Sequence, residues 1–254
     1  MSDAEFLTSS LLSGARFRHA FFTRRGGVSE GPFESLSFSL AVGDRPDHVA
    51  ENVRRAATAL AVEPAHVYYL SQVHGVAVHV VDAHDEREAL LKLEGDAIAS
   101  RDPRVACAVR SADCVPVLIA DADSGAVAAV HAGWRGVVQN VVAAAVARLR
   151  ALGAGGELVA AIGPHIEANA FEVSEDVATE LAGASNARDV VHRGFAKPHV
   201  DLRRIVRAQL ESAGLASANV DDVRGCTYSD SERFFSFRRD GQRSGRHLSA
   251  IVPR

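Results

Sequence analysis

The chain has 254 residues, of which 47% are hydrophobic and 24% charged, a composition typical of a globular protein with enough apolar material for a core. The net charge of −4 excludes a general nucleic-acid-binding surface, which would need lysine and arginine clustered on a basic domain. Three cysteines (Cys107, Cys114 and Cys226) argue against a disulfide framework, and no signal peptide or membrane-spanning apolar run is recognisable, so we expect a cytoplasmic protein.

The first half of the chain predicts a helix followed by several strands. Residues 46–61 have helical spacing that begins at Pro46, where the missing N–H costs nothing. Residues 67–70 and 76–81 are predicted strands on either side of a turn at His74–Gly75. Residues 105–110 and 115–120 are rich in β-branched side chains, and a turn at 123–125 leads into a strand at 126–131.

The second half mixes helices and strands. The glycines at 133 and 136 break the strand pattern, and a helix is predicted over 137–152. Another helix is predicted over 201–213, with strands at 158–162 and 247–252. Hairpins mixed with helices predict an α+β fold, a single-domain layered α/β sandwich with a mixed sheet. Without repeats or a low-complexity linker, we expect one domain over residues 1–254. We also expect a monomer.

Three residues with metal-binding chemistry lie at the ends of predicted strands. They are His74 in Ser-Gln-Val-His-Gly, Cys114 in Ser-Ala-Asp-Cys, and His131 in Val-His-Ala-Gly-Trp-Arg-Gly. Two imidazoles and a thiolate suit zinc, and three protein ligands leave a fourth position for water or substrate, as in catalytic sites. Spacing alone leaves open that each is a packing residue, because no close-set ligand motif such as C-x-x-C is present.

Two clusters of basic residues are candidates for binding an anion. Arg24 and Arg25 lie in a glycine-rich turn, and Arg238 and Arg239 form a second pair near the C-terminus. Guanidinium groups and exposed backbone N–H groups suit phosphate. A solvated face is the alternative, because the turn is neither a P-loop nor a dinucleotide-binding fingerprint. Among the remaining histidines, His165 is the one that a Gly-Pro turn would direct into a cleft.

The ordered set of motifs resembles one family across nearly the whole chain. The chain is similar to bacterial proteins known as laccase-domain, polyphenol oxidase or peptidoglycan editing factor proteins, now better described as purine nucleoside phosphorylase/adenosine deaminase. The matching segments are residues 23–29, 43–44, 72–75, 112–116, 130–136, 162–164, 171–173, 226–228 and 234–240.

The resemblance implies both a fold and a site. In the family, the histidine of Q-V-H-G, the cysteine of A-D-C and the first histidine of H-A-G-W-R-G bind zinc, and these match His74, Cys114 and His131. It implies a layered α/β sandwich that cleaves adenosine, inosine and methylthioadenosine with phosphate and also deaminates adenosine. Purine nucleosides and phosphate are the implied partners.

The chain departs from the family pattern at several positions outside the three ligands. Leu-Ser-Phe-Ser at 36–39 replaces L-N-L-G, so that Ser37 stands for the asparagine. Ala41 replaces a common histidine, Val53 the arginine of an Asn-Arg pair, and His165 a frequent cysteine. These departures bear on substrate preference, because all lie outside the predicted metal ligands.

The sequence excludes one further function, a multicopper oxidase, and leaves two others open. A multicopper oxidase needs about ten histidine ligands, often in His-x-His pairs. This chain has 11 histidines, no His-x-His and a single methionine, Met1, which leaves copper only as an alternative metal at the three-residue site. A second possibility is a hydrolase or amidase acting on cell-wall precursors, with Cys114 as nucleophile and His131 as base. The third is a partner-binding module with a structural metal.

Overall fold

The structure is a computed structural model and describes residues 4–254. These residues contain thirteen strands: β1 (Phe6–Leu7), β2 (Arg18–Phe22), β3 (Val67–Tyr68), β4 (Val78–Val80), β5 (Ala97–Ser100), β6 (Ala106–Ser111), β7 (Val115–Asp121), β8 (Val127–Ala132), β9 (Leu158–Ile162), β10 (Val191–His192), β11 (His199–Val200), β12 (Val220–Asp222) and β13 (His247–Val252). The α-helices are α1 (Ser10–Gly14), α2 (Pro46–Leu60), α3 (Arg87–Leu90), α4 (Trp134–Val138), α5 (Val141–Ala151), α6 (Glu175–Ala182), α7 (Leu202–Ser212) and α8 (Phe237–Asp240).

Two mixed sheets form the centre of the molecule. A five-stranded sheet has the order β1-β2-β13-β6-β3, and a six-stranded sheet has the order β12-β9-β7-β8-β5-β4. Most neighbours are antiparallel, while β3 pairs with β6, β4 with β5 and β12 with β9 in parallel. The short β10–β11 hairpin stands apart from both sheets. The predicted α+β sandwich with mixed sheets is therefore confirmed.

The apolar side chains form layers on both faces of each sheet. Along β8, Ala128 and Val130 pack towards α5 and α7, whereas Val127 and Ala129 pack towards the other sheet. The outer face of the five-stranded sheet is covered by α2. Both faces of the central strands are thus buried, which is why these strands read as nearly continuous apolar runs in the sequence.

Most predicted elements appear with small shifts at their ends. The strands at 158–162 and 247–252 have the predicted bounds, and helix α2 ends one residue earlier than predicted. The predicted strands at 67–70 and 76–81 shrink to β3 and β4, which belong to different sheets. The turn around His74 therefore crosses from one sheet to the other. No helix among residues 4–254 is long and apolar enough to cross a membrane.

The predicted helix over 137–152 is interrupted at residues 139–140 and begins three residues earlier than expected. The chain forms two helices, α4 and α5, separated at Asn140, whose φ of 61° lies in the left-handed region. The Asn140 side chain accepts a hydrogen bond from Ala143 N and so caps α5, a role for which asparagine is favoured. Residues 134–136, expected to lie in a break, are helical, with Gly133 as the N-cap.

A buried asparagine fastens the long loop before α2 to the body of the protein. Asn52 on α2 is fully buried, and its side-chain Oδ1 accepts a hydrogen bond from Val28 N at 3.0 Å. Its Nδ2 donates to Ser29 Oγ and to Ser37 O, both at 2.8 Å. One side chain thereby joins two parts of the loop, residues 28–29 and residue 37.

We expect Asn52→Ala to lower the free energy of unfolding by about 2–3 kcal/mol, because it leaves buried backbone groups without hydrogen-bond partners. Chemical denaturation measures the change, as a shift of the midpoint with the same m-value in both proteins. Asn169→Ala removes the same amide from an exposed position and serves as the control. Equal stability of the two variants would show that the asparagine does not fasten the loop.

Candidate metal centre

The three residues predicted to bind metal meet at one point. His74 lies in the crossover between β3 and β4, Cys114 immediately precedes β7, and His131 lies near the end of β8. Their ligand atoms all lie within 4.8 Å of one another, and Cys114 Sγ is 3.7 Å from His74 Nε2. The two imidazole rings meet edge to face, with centroids 5.0 Å apart.

The strand register explains why these residues meet. Strands β7 and β8 are antiparallel with Pro116 opposite His131, so Cys114 lies just beyond the end of the paired region. His131 follows Val127 and Ala129 in the two-residue alternation, which places its side chain on the face towards the other sheet. The crossover that carries His74 bridges the two sheets at this end.

Gly133 permits the close approach of the ligands. A Cβ atom at this position would lie 2.3 Å from His74 Cδ2 and 3.2 Å from Cys114 Sγ. Any side chain would therefore push the imidazole away from the thiol. The first glycine of the His-Ala-Gly-Trp-Arg-Gly motif is therefore a packing requirement of the cluster.

The buried carboxylate of Asp96 organises two of the three ligands. It is fully buried and accepts backbone hydrogen bonds from Val73, His74 and Gly75 at 2.7–3.1 Å. These bonds support His74 in a left-handed conformation, with φ of 61°. The same carboxylate accepts a hydrogen bond from His131 Nδ1 at 2.8 Å, which orients the ring so that Nε2 is the nitrogen directed at the cluster.

The protonation states of the cluster are strongly coupled. Burial raises the pKa of the Cys114 thiol, but the charge and hydrogen bonds of His131 and His74 outweigh burial and lower this pKa to about 6. Burial lowers the pKa of His131, while the thiolate and Asp96 raise it to about 9. Burial also raises the pKa of Asp96, and its bonds to His131 and to backbone N–H groups reverse the effect and lower it. Cys114 is thus held as a thiolate.

The donor set fits a metal ion. A thiolate and two imidazoles are the ligand types that zinc prefers, and Asp96 supplies the carboxylate that commonly orients a metal-binding histidine. Within residues 4–254, His74, Cys114 and His131 are the one group of three such donors that converge. The arrangement could equally hold copper at these three donors, because imidazole and thiolate suit both metals.

The cluster lies in a cavity of about 610 Å³, which is within the range for small-molecule sites. Aromatic, hydroxyl and cationic side chains surround it. The lining comprises Ser39, Ala41, Ser71, Gln72, Arg110, Ser111, Ala112, Asp113, Trp134, Arg135, Ile166, Phe171, Phe237, Arg238 and Arg246 in addition to the three cluster residues.

Of the four arginines expected to hold phosphate, Arg238 alone lines this cavity. Arg24 donates to Glu34 O and Ser231 O, and its guanidinium stacks on Phe235. These donors are committed to the loop backbone.

The other two arginines also bind the protein itself. Arg25 pairs with Glu232, and Arg239 donates to Thr227 O, Tyr228 O and Phe234 O and pairs with Asp240. Phosphate binding by Arg24, Arg25 and Arg239 stays a prediction. These three residues do not line the cavity.

The departures from the family pattern fall in three different environments. Ala41 lines the cavity, whereas Ser37 is buried and bonded to Asn52 through its carbonyl. Val53 is part of the core beneath α2. His165 is buried beside a separate cavity lined by Arg203 and neighbouring charges, so the Gly-Pro turn does not direct it into the metal cavity.

Sequence reasoning did not find Asp96, Arg110 or Arg246. The Gly-Asp step before the apolar β5 was the available signal for Asp96, because a carboxylate that enters a buried strand needs partners. The two arginines carry no local signature. They are brought to the cavity by the pairing of β6 with β13.

Proteins named purine nucleoside phosphorylase align with almost the entire chain. A purine nucleoside phosphorylase of Streptomyces coelicolor (SCO2081) is 40% identical over 230 residues, which is 90% of this chain and 92% of the relative. A purine nucleoside phosphorylase of Deinococcus radiodurans is 40% identical over 238 residues, 93% of this chain and 89% of the relative.

Solved structures show the same fold. YlmD from Geobacillus stearothermophilus superposes with a TM-score of 0.89 at 27% identity, covering 99% of both chains. Neisseria meningitidis protein NMB0706 superposes with a TM-score of 0.84 at 34% identity, covering 98% of both chains. The family model described as multi-copper polyphenol oxidoreductase laccase matches residues 18–254. The chain therefore belongs to this laccase-like family, some of whose members are named purine nucleoside phosphorylases.

Proposed function

We propose that the protein is a zinc-dependent purine nucleoside phosphorylase that cleaves adenosine, inosine and methylthioadenosine with phosphate and deaminates adenosine more slowly. The observation that carries the proposal is the convergence of His74, Cys114 and His131 in one cavity, in a chain 40% identical to proteins named purine nucleoside phosphorylase. We further propose that residues 1–254 act as one domain, as a monomer in the cytoplasm.

In this proposal the three cluster residues hold the zinc through two imidazoles and one thiolate. When bound, zinc supplies a Lewis acid that activates water near neutral pH. Asp96 keeps the His131 imidazole in the tautomer whose Nε2 faces the cluster, and it holds the backbone on either side of His74. Copper at the same donors is the alternative metal.

The aromatic part of the cavity suits the purine base. Trp134, Phe171 and Phe237 line it. Arg135 stacks on Trp134 at 4.4 Å, and Arg238 lies 5.5 Å from the Phe171 ring centroid. Flat apolar rings beside cations favour a planar, electron-rich ligand. The hydroxyl-bearing serines of the lining are suitable partners for the ribose hydroxyl groups.

Arg238 is positioned by the loop that carries Cys114. Asp113 Oδ2 accepts a hydrogen bond from Arg238 N at 2.6 Å, and Asp113 Oδ1 accepts one from Thr227 Oγ1 at 2.6 Å. The carboxylate thus holds the backbone of Arg238, while the Arg238 guanidinium donates to Glu172 O from Nη1. In phosphorolysis, an oxygen of phosphate forms a bond to C1′ of the ribose while the bond from C1′ to the base nitrogen breaks. The electron pair and a proton go to the base.

Both proposed reactions use the same cavity. Deamination adds the oxygen of water to C6 of adenine and releases the exocyclic nitrogen as ammonia. We assign both to the cluster because residues 4–254 offer no second convergent set of three metal-binding donors. Loss of one ligand should therefore affect both reactions together.

A hydrolase acting on cell-wall precursors is the second candidate, and one observation favours it. Cys114, His131 and Asp96 form a thiolate–imidazole–carboxylate series, in which Asp96 is 2.8 Å from His131 Nδ1. Cysteine hydrolases use such a series to activate the thiolate. The convergence of His74 on the same sulfur favours a metal site, because a nucleophile needs only one base.

We expect the purified protein to carry about one zinc per chain, the load of a single three-ligand site. Gly133→Ala should reduce this load by about tenfold or more without removing a ligand, because the new methyl group displaces the His74 imidazole. Cys114→Ser should abolish it. Gly155→Ala, where a Cβ meets nothing within 4 Å, is the matched control. Elemental analysis measures the load, and full occupancy in Cys114→Ser would refute the ligand assignment.

Chromatography of base, nucleoside and sugar phosphate tests the function. Wild type with adenosine or inosine and phosphate should release free base and ribose 1-phosphate, with slower formation of inosine from adenosine. His131→Ala should abolish both reactions, because the metal loses a ligand. Production of inosine without free base would exclude the phosphorylase and leave a plain deaminase. If neither product forms, the hydrolase becomes the leading candidate.

A further inference from the structure

The cavity around the metal cluster carries an excess of positive charge. Four arginines line it: Arg110, Arg135, Arg238 and Arg246. Asp113 is the one carboxylate in the lining, and both of its oxygens already accept hydrogen bonds from the protein. Counting Asp113 and the Cys114 thiolate, the cavity still has more guanidinium groups than negative charges.

Arg110 is a half-buried cation without a carboxylate partner. Its guanidinium carbon lies 4.5 Å from the centroid of the Tyr69 ring, and its Nη2 donates to Leu70 O at 3.2 Å. The Nε atom is buried and makes no hydrogen bond within the described chain. No carboxylate among residues 4–254 lies within 4.0 Å of this guanidinium.

Arg246 reaches the same cavity from the neighbouring strand. It immediately precedes β13, which pairs with β6 so that His247 lies opposite Ser111 and Leu248 opposite Arg110. Its Nη1 donates to Ser244 O and Gly245 O at 2.7 and 3.0 Å. In the described part of the chain it has no ion-pair partner either, and it too is half-buried.

Two such cations in one cavity are unfavourable without an anion. Burial lowers the pKa of both guanidinium groups, and the charge of Arg246 lowers that of Arg110 further. At Arg246 the charges of Cys114 and Asp113 act against burial but do not outweigh it. Arginine nevertheless stays protonated at neutral pH, so the repulsion persists. Buried charges in proteins are normally paired, because an unpaired one loses its hydration without compensation. A bound anion would supply the missing partner.

We propose that Arg110 and Arg246 form the oxyanion subsite of the cavity and bind inorganic phosphate between them. Nη1 of Arg110, and the Nε and Nη2 pair of Arg246, make no hydrogen bond to residues 4–254 and are the donors that remain for the ligand. Pairs of guanidinium N–H groups match tetrahedral oxyanions in a fork geometry. The choice of phosphate among such oxyanions rests on the proposed function.

The proposed subsite does not use the glycine-rich turn that carries Arg24 and Arg25, which the sequence suggested as a phosphate-binding site. At that turn, a Cβ on Gly27 would lie 2.1 Å from Ser35 O, so the turn is packed against the following loop. The guanidinium groups of Arg24 and Arg25 hold backbone and a glutamate there. The anion subsite instead lies at the end of the β6–β13 pair, where Arg110 and Arg246 are located.

Titration of inorganic phosphate into the full-length protein, without nucleoside, tests the subsite. We compare wild type with Arg110→Gln and Arg246→Gln by calorimetry and by the rise in Tm with phosphate. Arg87→Gln is the matched control, because Arg87 also stacks on Tyr69, at 5.2 Å, but does not line the cavity. Each cavity variant should raise the phosphate Kd by about tenfold or more, and the control should leave it within about twofold.

One additional variant keeps the test decisive. Arg110→Lys retains the charge but not the planar guanidinium and should give an intermediate Kd, which covers the case in which the glutamine variant does not fold. An unchanged Kd in both cavity variants, or no saturable binding by wild type, would overturn the subsite.

The subsite and the proposed function fail in different ways. If phosphate binds through Arg110 and Arg246 but no nucleoside is cleaved, the subsite stands and the phosphorylase proposal falls. If wild type cleaves inosine and the KM for phosphate is the same in both cavity variants, the phosphorylase stands and the subsite falls.

Discussion

The hydrogen bonds of Asp96 are the constraint on which the candidate site depends. One buried carboxylate accepts from three successive backbone N–H groups of the crossover and from the imidazole of His131. It thereby ties a loop that passes between the two sheets to a strand of the six-stranded sheet. His74 adopts its left-handed conformation under this restraint, and the two imidazoles reach the Cys114 sulfur from different elements.

Around that anchor, the cavity combines three chemical environments. The cluster provides a thiolate between two imidazoles, aromatic rings such as Trp134 and Phe171 form an apolar wall, and arginines add positive charge. The cluster suits a metal ion, the aromatic rings suit a purine, and the arginines suit an oxyanion, all within one cavity. The family description emphasises copper and oxidation, whereas the described residues offer a single three-donor cluster, which is too few ligands for a multicopper centre.

The sequence predicted local features well and long-range ones poorly. The strands at 158–162 and 247–252 were found because apolar runs end at turn residues, and the three candidate ligands were found because each occupies a distinctive motif. The break at Asn140 was missed, because a helical pattern continues through it. Arg110 and Arg246 were missed because their meeting depends on strand pairing over more than a hundred residues, which no local pattern reports.

Product analysis with and without a chelator tests the central claim most directly. Purified protein is incubated with inosine, with or without phosphate, first as isolated, then after chelation, and then after zinc is restored. We expect hypoxanthine and ribose 1-phosphate only when phosphate and metal are both present, with activity recovered by zinc. Free base formed at the same rate after complete removal of the metal, or without phosphate, would contradict it.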